Sequence, residues 1–380
     1  MNTQVEPEVD EQTFVDWDTI FYTPQFAADC FNLTTRRLKD IEEDNQLAIP
    51  RVPRGTVSAR AYRPSDLFLI SAIRRQLGHV KPLGKQIVIS NFIHKGGTAK
   101  STTTVNLAIS LQLAGRRVLV VDNDPQGDTS CMFGYDSDLS YEDLEAMGIP
   151  RDRIVDGHLG NLIAPLLRMK PFETKSLADV VKKPFGENGP HLIPADNSLE
   201  DLGVVLDAAN NPDFWYSEWI KAGNSGRLPN CDLSAYDVII FDNAPAASRL
   251  TKNSVAACDL QLCPIRMDKL SFRALNRLND WLLRFAEDYK RSPALCVVPT
   301  MFIRGRSRML QHLAMLNDFF PGRVTEENLY WSEDYSKSMD QGIPLLLWKG
   351  TTQGTLNASR AVYGQINQTI QNLAQMAVKN

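Results

Sequence analysis

The chain is poor in the features that would take it out of the ordinary globular class. Its six cysteines (Cys30, Cys131, Cys231, Cys258, Cys263 and Cys296) contain no CxxC pair. Neither a disulfide framework nor a zinc site is therefore expected, and the thiols read as reduced and mostly buried, as in a cytoplasmic protein. No apolar run approaches the roughly 20 residues that cross a bilayer, and the acidic opening stretch does not read as a secretory signal. Positive charge is not in excess either: the net charge is −4, so any nucleic-acid binding has to come from a focused patch. Internal repeats and low-complexity tracts are absent. What remains is 380 residues, 43% of them hydrophobic, enough for two or three domains.

One octapeptide carries chemistry more plainly than the rest: Lys95-Gly96-Gly97-Thr98-Ala99-Lys100-Ser101-Thr102. Before it stands Gln86-Ile87-Val88-Ile89-Ser90-Asn91-Phe92, a Val/Ile-rich run suited to a buried strand. After it, Thr103 to Ala114 crowds Val105, Leu107, Ala108, Leu111 and Leu113 on one broad helical face, with Gly115 as the C-cap. Strand, glycine-rich turn and helix make up the context of a phosphate-binding loop. Glycines let backbone N–H groups converge on an anion, the helix N-terminus adds partial positive charge, and a lysine completes the neutralisation. A nucleoside triphosphate is the expected ligand.

The loop departs from the ordinary pattern twice. Ala99 stands where a glycine usually precedes the Lys-Ser pair, and an additional Lys95 precedes the two glycines. In both respects it resembles the deviant Walker A loop of the ParA/MinD family, whose first lysine reaches across a dimer to the partner's nucleotide. The resemblance implies that Lys95 crosses the dimer and that Gly96, Gly97, Thr98 and Ala99 wrap the phosphates. It further implies Lys100 at the β/γ-phosphates, Ser101 on Mg²⁺ and Thr102 at a nearby phosphate oxygen.

A second apolar strand, Arg117 to Val121, ends in Asp122-Asn123-Asp124-Pro125-Gln126-Gly127. Parallel sheets put their working residues at the carboxyl ends of the strands, so Asp124 should lie beside the phosphates. The DPQG run at 124–127 resembles the second motif of the same family, whose aspartate positions the attacking water and takes part in the switch. It also makes Asp124 a candidate near the metal. Tyr236 to Asp242 reads as a Walker B strand with Asp242 holding Mg²⁺ directly or through water. Asn243-Ala244-Pro245 follows where the family usually keeps two prolines. Leu260 to Cys263 and Ala294 to Val298 are two later strands, and Thr300 and Met301 after the second are assigned to the adenine side; core packing is an equally good reading of Met301. The expected fold class is α/β: a doubly wound, mostly parallel sheet of the P-loop NTPase (deviant Walker) type, with an N-terminal α-helical winged helix-turn-helix domain.

Three regions are expected: an acidic segment with a helix at 1–22, a winged helix-turn-helix domain at 23–85, and the ATPase domain at 86–380. Thr23 with Pro24 can open one helix and Thr34 or Thr35 a second, with Ala27, Ala28, Phe31, Leu33 and Leu38 as their small core. Thr35, Arg36, Arg37 and Lys39 at the start of the second helix, and Arg51, Arg54 and Arg60 on a β-wing, are the candidate DNA contacts. Acids Asp40, Glu42, Glu43 and Asp44 leave a dimerising or regulatory cap open as the alternative. Arg304, Arg306 and Arg308, with Arg266, Lys269 and Arg273 possible neighbours, could hold non-specific DNA or form a solvated loop. Residues 140–230 read as an insertion, with loops at Asn210–Pro212 and Gly223–Gly226. The last helix, from about Thr355 to Lys379, carries Gln and Asn rather than basic residues, so it should pack or dimerise instead of gripping lipid.

Taken whole, the chain resembles a longer plasmid-type ParA partition ATPase. That implies weak ATP hydrolysis with Mg²⁺, alternation between ATP and ADP states, an ATP-sandwich homodimer that binds DNA without sequence preference, and stimulation by a ParB-like centromere-binding partner. It also implies operator-specific DNA binding by the N-terminal domain, a cytoplasmic, nucleoid-associated location, and no membrane. Three other classes stay in view: a MinD-like membrane-positioning ATPase, a reductase of the nitrogenase iron-protein type, and a nucleotide-sensing transcriptional regulator.

Overall fold

The computed structural model describes residues 14–167, 172–289 and 292–379, with backbone alone at 54, 269–272, 289 and 377–379. Glu6, Glu8, Asp10 and Glu11 lie outside the described residues. Within 14–22 the expected helix is a single 3₁₀ turn, Trp17–Thr19, capped by the Asp16 side chain.

Caps set the start of each N-terminal helix. Thr23 accepts from the Phe26 N–H to begin α1 (Pro24–Asp29), with Pro24 in its first turn. Thr34, rather than Thr35, accepts from the Arg37 N–H and begins α2 (Thr35–Asp44). A two-stranded antiparallel hairpin follows, β1 (Arg51–Arg54) and β2 (Val57–Arg60), turning through Gly55 at φ 63°. Next comes α3 (Pro64–Gln76), where Asp66 accepts from the Arg63 N–H at 2.8 Å.

Six parallel strands form the sheet: β3 (Ile87–Asn91), β4 (Val118–Asn123), β5 (His191–Ile193), β6 (Val238–Asn243), β7 (Leu260–Arg266) and β8 (Ala294–Thr300). Their spatial order is β5-β4-β6-β3-β7-β8. Helices cover both faces, which is why β3, β4 and β6 are buried along their whole length. Successive side chains alternate between two cores. Val88, Leu119, Val121, Ile239 and Phe241 face one; Ile87, Ile89, Val118, Val120, Val238 and Ile240 face the other.

The second core does not stop at the sheet. Ala27, Ala28, Leu38, Phe68 and Ile70 from the N-terminal helices belong to it, together with Val105 and Leu107 and with Val362, Tyr363, Ile366 and Ile370 of the C-terminal helix Gln353–Lys379. Polar ties reinforce the junction. Tyr22 donates to the Leu347 carbonyl at 2.7 Å, and Ser71 Oγ to the Gln112 carbonyl at 2.6 Å.

Two expectations change. Residues 140–230 are no mere insertion: they supply β5, the edge strand paired with β4, and bury Leu199, Leu202, Tyr216 and Trp219 against the sheet. Gly223 lies inside the helix Trp215–Asn224, not in a loop. A Cβ there would come within 2.8 Å of the Cys231 carbonyl oxygen, so close packing accounts for the glycine. The late strands also run further than expected, through Arg266 and Thr300.

Candidate active site

The register of the sheet sets the site. Asn91 at the end of β3 and Asp122 on β4 each stand opposite Asp242 on β6, so three separate stretches deliver polar side chains to one edge. The loop after β3 leads directly into α4 (Lys100–Leu113). Gly97 has φ 63° and Ala99 φ 66°. Ala99 thus takes up the left-handed conformation that glycine adopts without strain, immediately before the helix starts.

Asp242 is fully buried. Its carboxylate accepts from Thr104 Oγ1 and Thr129 Oγ1, each at 2.8 Å, and from the Ser101 hydroxyl. Asn91 Nδ2 bridges to the Lys100 carbonyl and to Thr104 at 2.8 and 2.7 Å. Burial raises the Asp242 carboxyl above its ordinary range, while the three hydroxyls and Lys100 oppose the shift. Asp122, equally buried, accepts from the Ser130 N–H and hydroxyl at 2.8 and 2.7 Å. Its pKa is held high by burial and then by the neighbouring Asp242. Asp124 caps its own turn, accepting from the Gln126 N–H at 3.1 Å, and is raised by burial as well.

Lys100 is only 8% exposed. Burial lowers its pKa, and Asp242, Asp124 and Asp128 counter that; its ammonium donates to the Lys95 carbonyl at 3.4 Å. Lys95 itself points elsewhere: its Nζ meets both carboxylate oxygens of Asp268 at 2.8 Å.

A cavity of about 360 Å³ opens beside the loop, lined by Gly97 to Thr103, Thr300 and Met301. Thr300 donates its hydroxyl to the Thr98 carbonyl at 3.1 Å, tying the end of β8 to the loop. Sequence reasoning missed the opposite wall, Leu329 to Ser332 with Tyr335. Its signal was the adjacent aromatic pair Tyr330-Trp331, of which Trp331 is 58% exposed. Asn91, Thr104, Asp122 and Thr129 were also missed. Thr104 lies one helical turn beyond Ser101, the only hint the sequence carries of its role.

The residues present suit a metal-bound polyphosphate. Thr98 Oγ1 and Thr103 Oγ1 are buried with no hydrogen-bond partner. Asp122, Asp124 and Asp242 bring acids to one edge of the sheet, and the burial that raises their pKa values is relieved when a cation arrives. A Cβ at Gly96 or Gly97 would meet nothing within 4 Å, so open space surrounds the loop backbone.

The candidate DNA residues separate into engaged and exposed. Arg36, Arg37, Lys39 and Arg51 are exposed, with Lys39 ion-paired to Glu43 at 3.1 Å. Arg60 turns inward to Glu42 at 2.6 Å, and Tyr62 donates to the same carboxylate. The side chain of Arg54 lies outside the described residues. Arg306 and Arg308 are exposed, and the Arg304 guanidinium lies 4.0 Å from the Tyr330 ring centre.

A protein-family model described as an AAA domain matches residues 84–293. The chromosome partitioning protein ParA of Myxococcus xanthus is 30% identical over 197 residues, spanning 52% of this chain and 57% of that protein. The sporulation initiation inhibitor protein Soj of Bacillus subtilis is 24% identical over 274 residues, 72% of this chain and 94% of its own. Among solved structures, cobyrinic acid a,c-diamide synthase of Mycobacterium smegmatis, with a bound ATP analogue and magnesium, matches with TM-score 0.54. It is 18% identical and covers 74% of this chain and 95% of its own, a likeness in fold.

Proposed function

This chain belongs to the ParA/MinD-like, AAA-domain family of P-loop ATPases, and from that premise we propose that it is an ATP-hydrolysing DNA partition protein working through a nucleotide-sandwich dimer. The observation that carries the reading is the division of labour between two lysines. Lys100 is buried in the phosphate cradle, whereas the ammonium of Lys95 is held outside it by Asp268. A second cation positioned before the glycines, with its ammonium on Asp268, suits a neighbour's γ-phosphate.

Ser101, Asp124 and Asp242 would hold Mg²⁺, with Asp242 fixed by Thr104 and Thr129. The ion would supply charge neutralisation to the phosphates there. Gly96 to Ala99 present backbone N–H groups, Lys100 neutralises the β/γ-phosphates, and Thr102 contacts a phosphate oxygen. Asp124 orients the attacking water and accepts its proton. Thr300, Met301 and the Tyr330-Trp331 wall enclose the base. Loss of the γ-phosphate removes the group that Lys95 bridges, so the ADP state dissociates.

The N-terminal helices and hairpin serve as a winged helix-turn-helix that binds an operator through Thr35, Arg36, Arg37, Lys39 and Arg51. Arg54 and Arg60 belong to the same wing, although Glu42 holds Arg60 against the domain. Arg304, Arg306 and Arg308 contribute non-specific phosphate contacts in the ATP dimer. A ParB-like partner stimulates the weak basal turnover, and the protein works in the cytoplasm on the nucleoid. The membrane-positioning alternative finds little support, because the C-terminal helix buries its apolar face, Leu356, Val362, Tyr363, Ile366 and Ile370. No helix among the described residues is long and apolar enough to cross a membrane.

The test is turnover of the full chain alone, with non-specific DNA, and with DNA plus the protein encoded immediately downstream. Stimulation is expected at the last step, with Asp124→Ala binding ATP but failing to turn over. A chain that binds operator DNA yet hydrolyses no ATP under any of these conditions would be a ligand-sensing regulator instead.

A further inference from the structure

A second cavity, of about 440 Å³, lies away from the phosphate loop where α1, α3, the far end of α4 and the C-terminal helix meet. Four cations line it: Arg74, Lys81, Arg116 and Arg360, with Asp29 as the acid. Arg116 is 4% exposed. One of its terminal nitrogens donates to the Lys81 carbonyl at 2.6 Å, while its Nε is buried with no hydrogen-bond partner. Arg360 reaches Cys30 Sγ at 3.6 Å, and Arg74 stands over the Phe31 ring at 5.2 Å. Among the described residues neither these two contacts nor that of Arg116 is to a carboxylate. Burial lowers the pKa of both Arg74 and Arg116, with Asp237 opposing the shift only at Arg116.

The nearby helix ends do not cancel this charge. The C-termini of α1, α3 and α4 supply at most about −0.5 each, and Asp29 supplies −1, partly taken up by its bond from Gln25 at 2.7 Å. Against four cations the lining keeps a residue of roughly +1.5. Buried, unpaired guanidinium N–H groups are costly and match phosphate oxygens in geometry. A cavity of this size falls in the range that small ligands occupy.

We propose that this cavity is a second binding site, separate from the ATP site, for a small phosphorylated molecule no larger than a mononucleotide, held by Arg74, Arg116 and Arg360. Its occupant would tie the N-terminal helices to the helix that begins at Lys100. The inference is independent of the partition reading.

The experiment is calorimetric titration of the full chain carrying Lys100→Ala, which cripples the phosphate loop, with orthophosphate, pyrophosphate and ADP in separate runs. One binding event per chain is expected for at least one of these anions. It should weaken about tenfold or more when Arg74→Gln and Arg360→Gln are added, since two charge-assisted contacts are lost. Orthophosphate matching the others would identify free phosphate as the occupant; ADP binding more tightly than pyrophosphate would identify a nucleotide. Should the double substitution lower the melting temperature, the single substitution Arg360→Gln, at a half-buried position, provides the same comparison. Absence of binding by all three anions, or binding that a folded variant leaves unchanged, would overturn the assignment.

Discussion

If Lys95 must reach a neighbour's nucleotide, its pairing with Asp268 has to break first, and removing that carboxylate should promote dimerisation. The contact is bidentate, at 2.8 Å to each oxygen, with side chains 22% and 36% exposed. Two unit charges at such a distance attract by about 6 kcal/mol at an effective dielectric of 20. Desolvation, side-chain ordering and salt reduce what an accessible pair contributes to about 1 kcal/mol. A symmetric dimer breaks two such pairs, about 2 kcal/mol in all, which corresponds to roughly 30-fold in the dimer dissociation constant. Asp268→Asn should therefore dimerise in a non-hydrolysable ATP analogue at concentrations about 30-fold lower than the parent chain, and the gap should shrink as salt is raised. Sedimentation velocity across a concentration series measures both. Arg266, whose Nε lies 3.5 Å from the same carboxylate, offers a control: Arg266→Gln changes local charge without releasing Lys95. A dimer affinity that Asp268→Asn leaves unchanged, or weakens, would refute the idea that this pair restrains the lysine.

Three further outcomes are expected. Lys95→Ala should retain nucleotide binding by calorimetry while losing the ATP-dependent dimer; a normal dimer in sedimentation would remove the lysine from that role. Ala99→Gly should raise the melting temperature by a degree or two. Relief of about 1–2 kcal/mol of left-handed strain exceeds the glycine entropy cost of about 0.5–1 kcal/mol; a fall in melting temperature would contradict the observed φ. His158 is 2% exposed, accepts at Nδ1 from the Gly160 N–H at 2.9 Å, and has its pKa lowered by burial, with Asp196 opposing. The unfolded chain therefore binds a proton more readily than the folded one, and stability should fall as pH drops below about 6.5 towards the depressed folded value. His158→Asn keeps a cap for the Gly160 N–H without titrating, so the melting-temperature difference between parent and variant should shift against the parent from pH 7.5 to pH 5.5. A difference independent of pH would exclude this histidine from the acid response.

Local chemistry was legible in the residues themselves. The strand before Lys95, the glycine turn and the helix from Lys100 each depend on neighbours within a few positions, and so do the caps of Thr23 and Thr34 and the turn at Gly55. Strand ends carrying Asp124 and Asp242 followed from the rule that parallel sheets work at their carboxyl edges. The same short range explains the failures. Residues 140–230 hid β5 because three residues of edge strand have too little periodicity to stand out. The 1–22 helix rested on composition and falls mostly outside the described residues, of which 14–22 hold one 3₁₀ turn.

Everything else in the site was decided by tertiary structure. Thr104 and Thr129 meet Asp242 across 138 and 113 positions of chain, and Lys95 meets Asp268 across 173. The N-terminal helices share one apolar core with the sheet and the last helix. Periodicity reports which face of an element is apolar, but it does not report which element covers that face. That is decided by strand order and register, which depend on pairings between residues far apart in the chain. Hence a sequence can announce a phosphate loop, while only the packed sheet determines which hydroxyls hold its aspartate and which carboxylate restrains its second lysine.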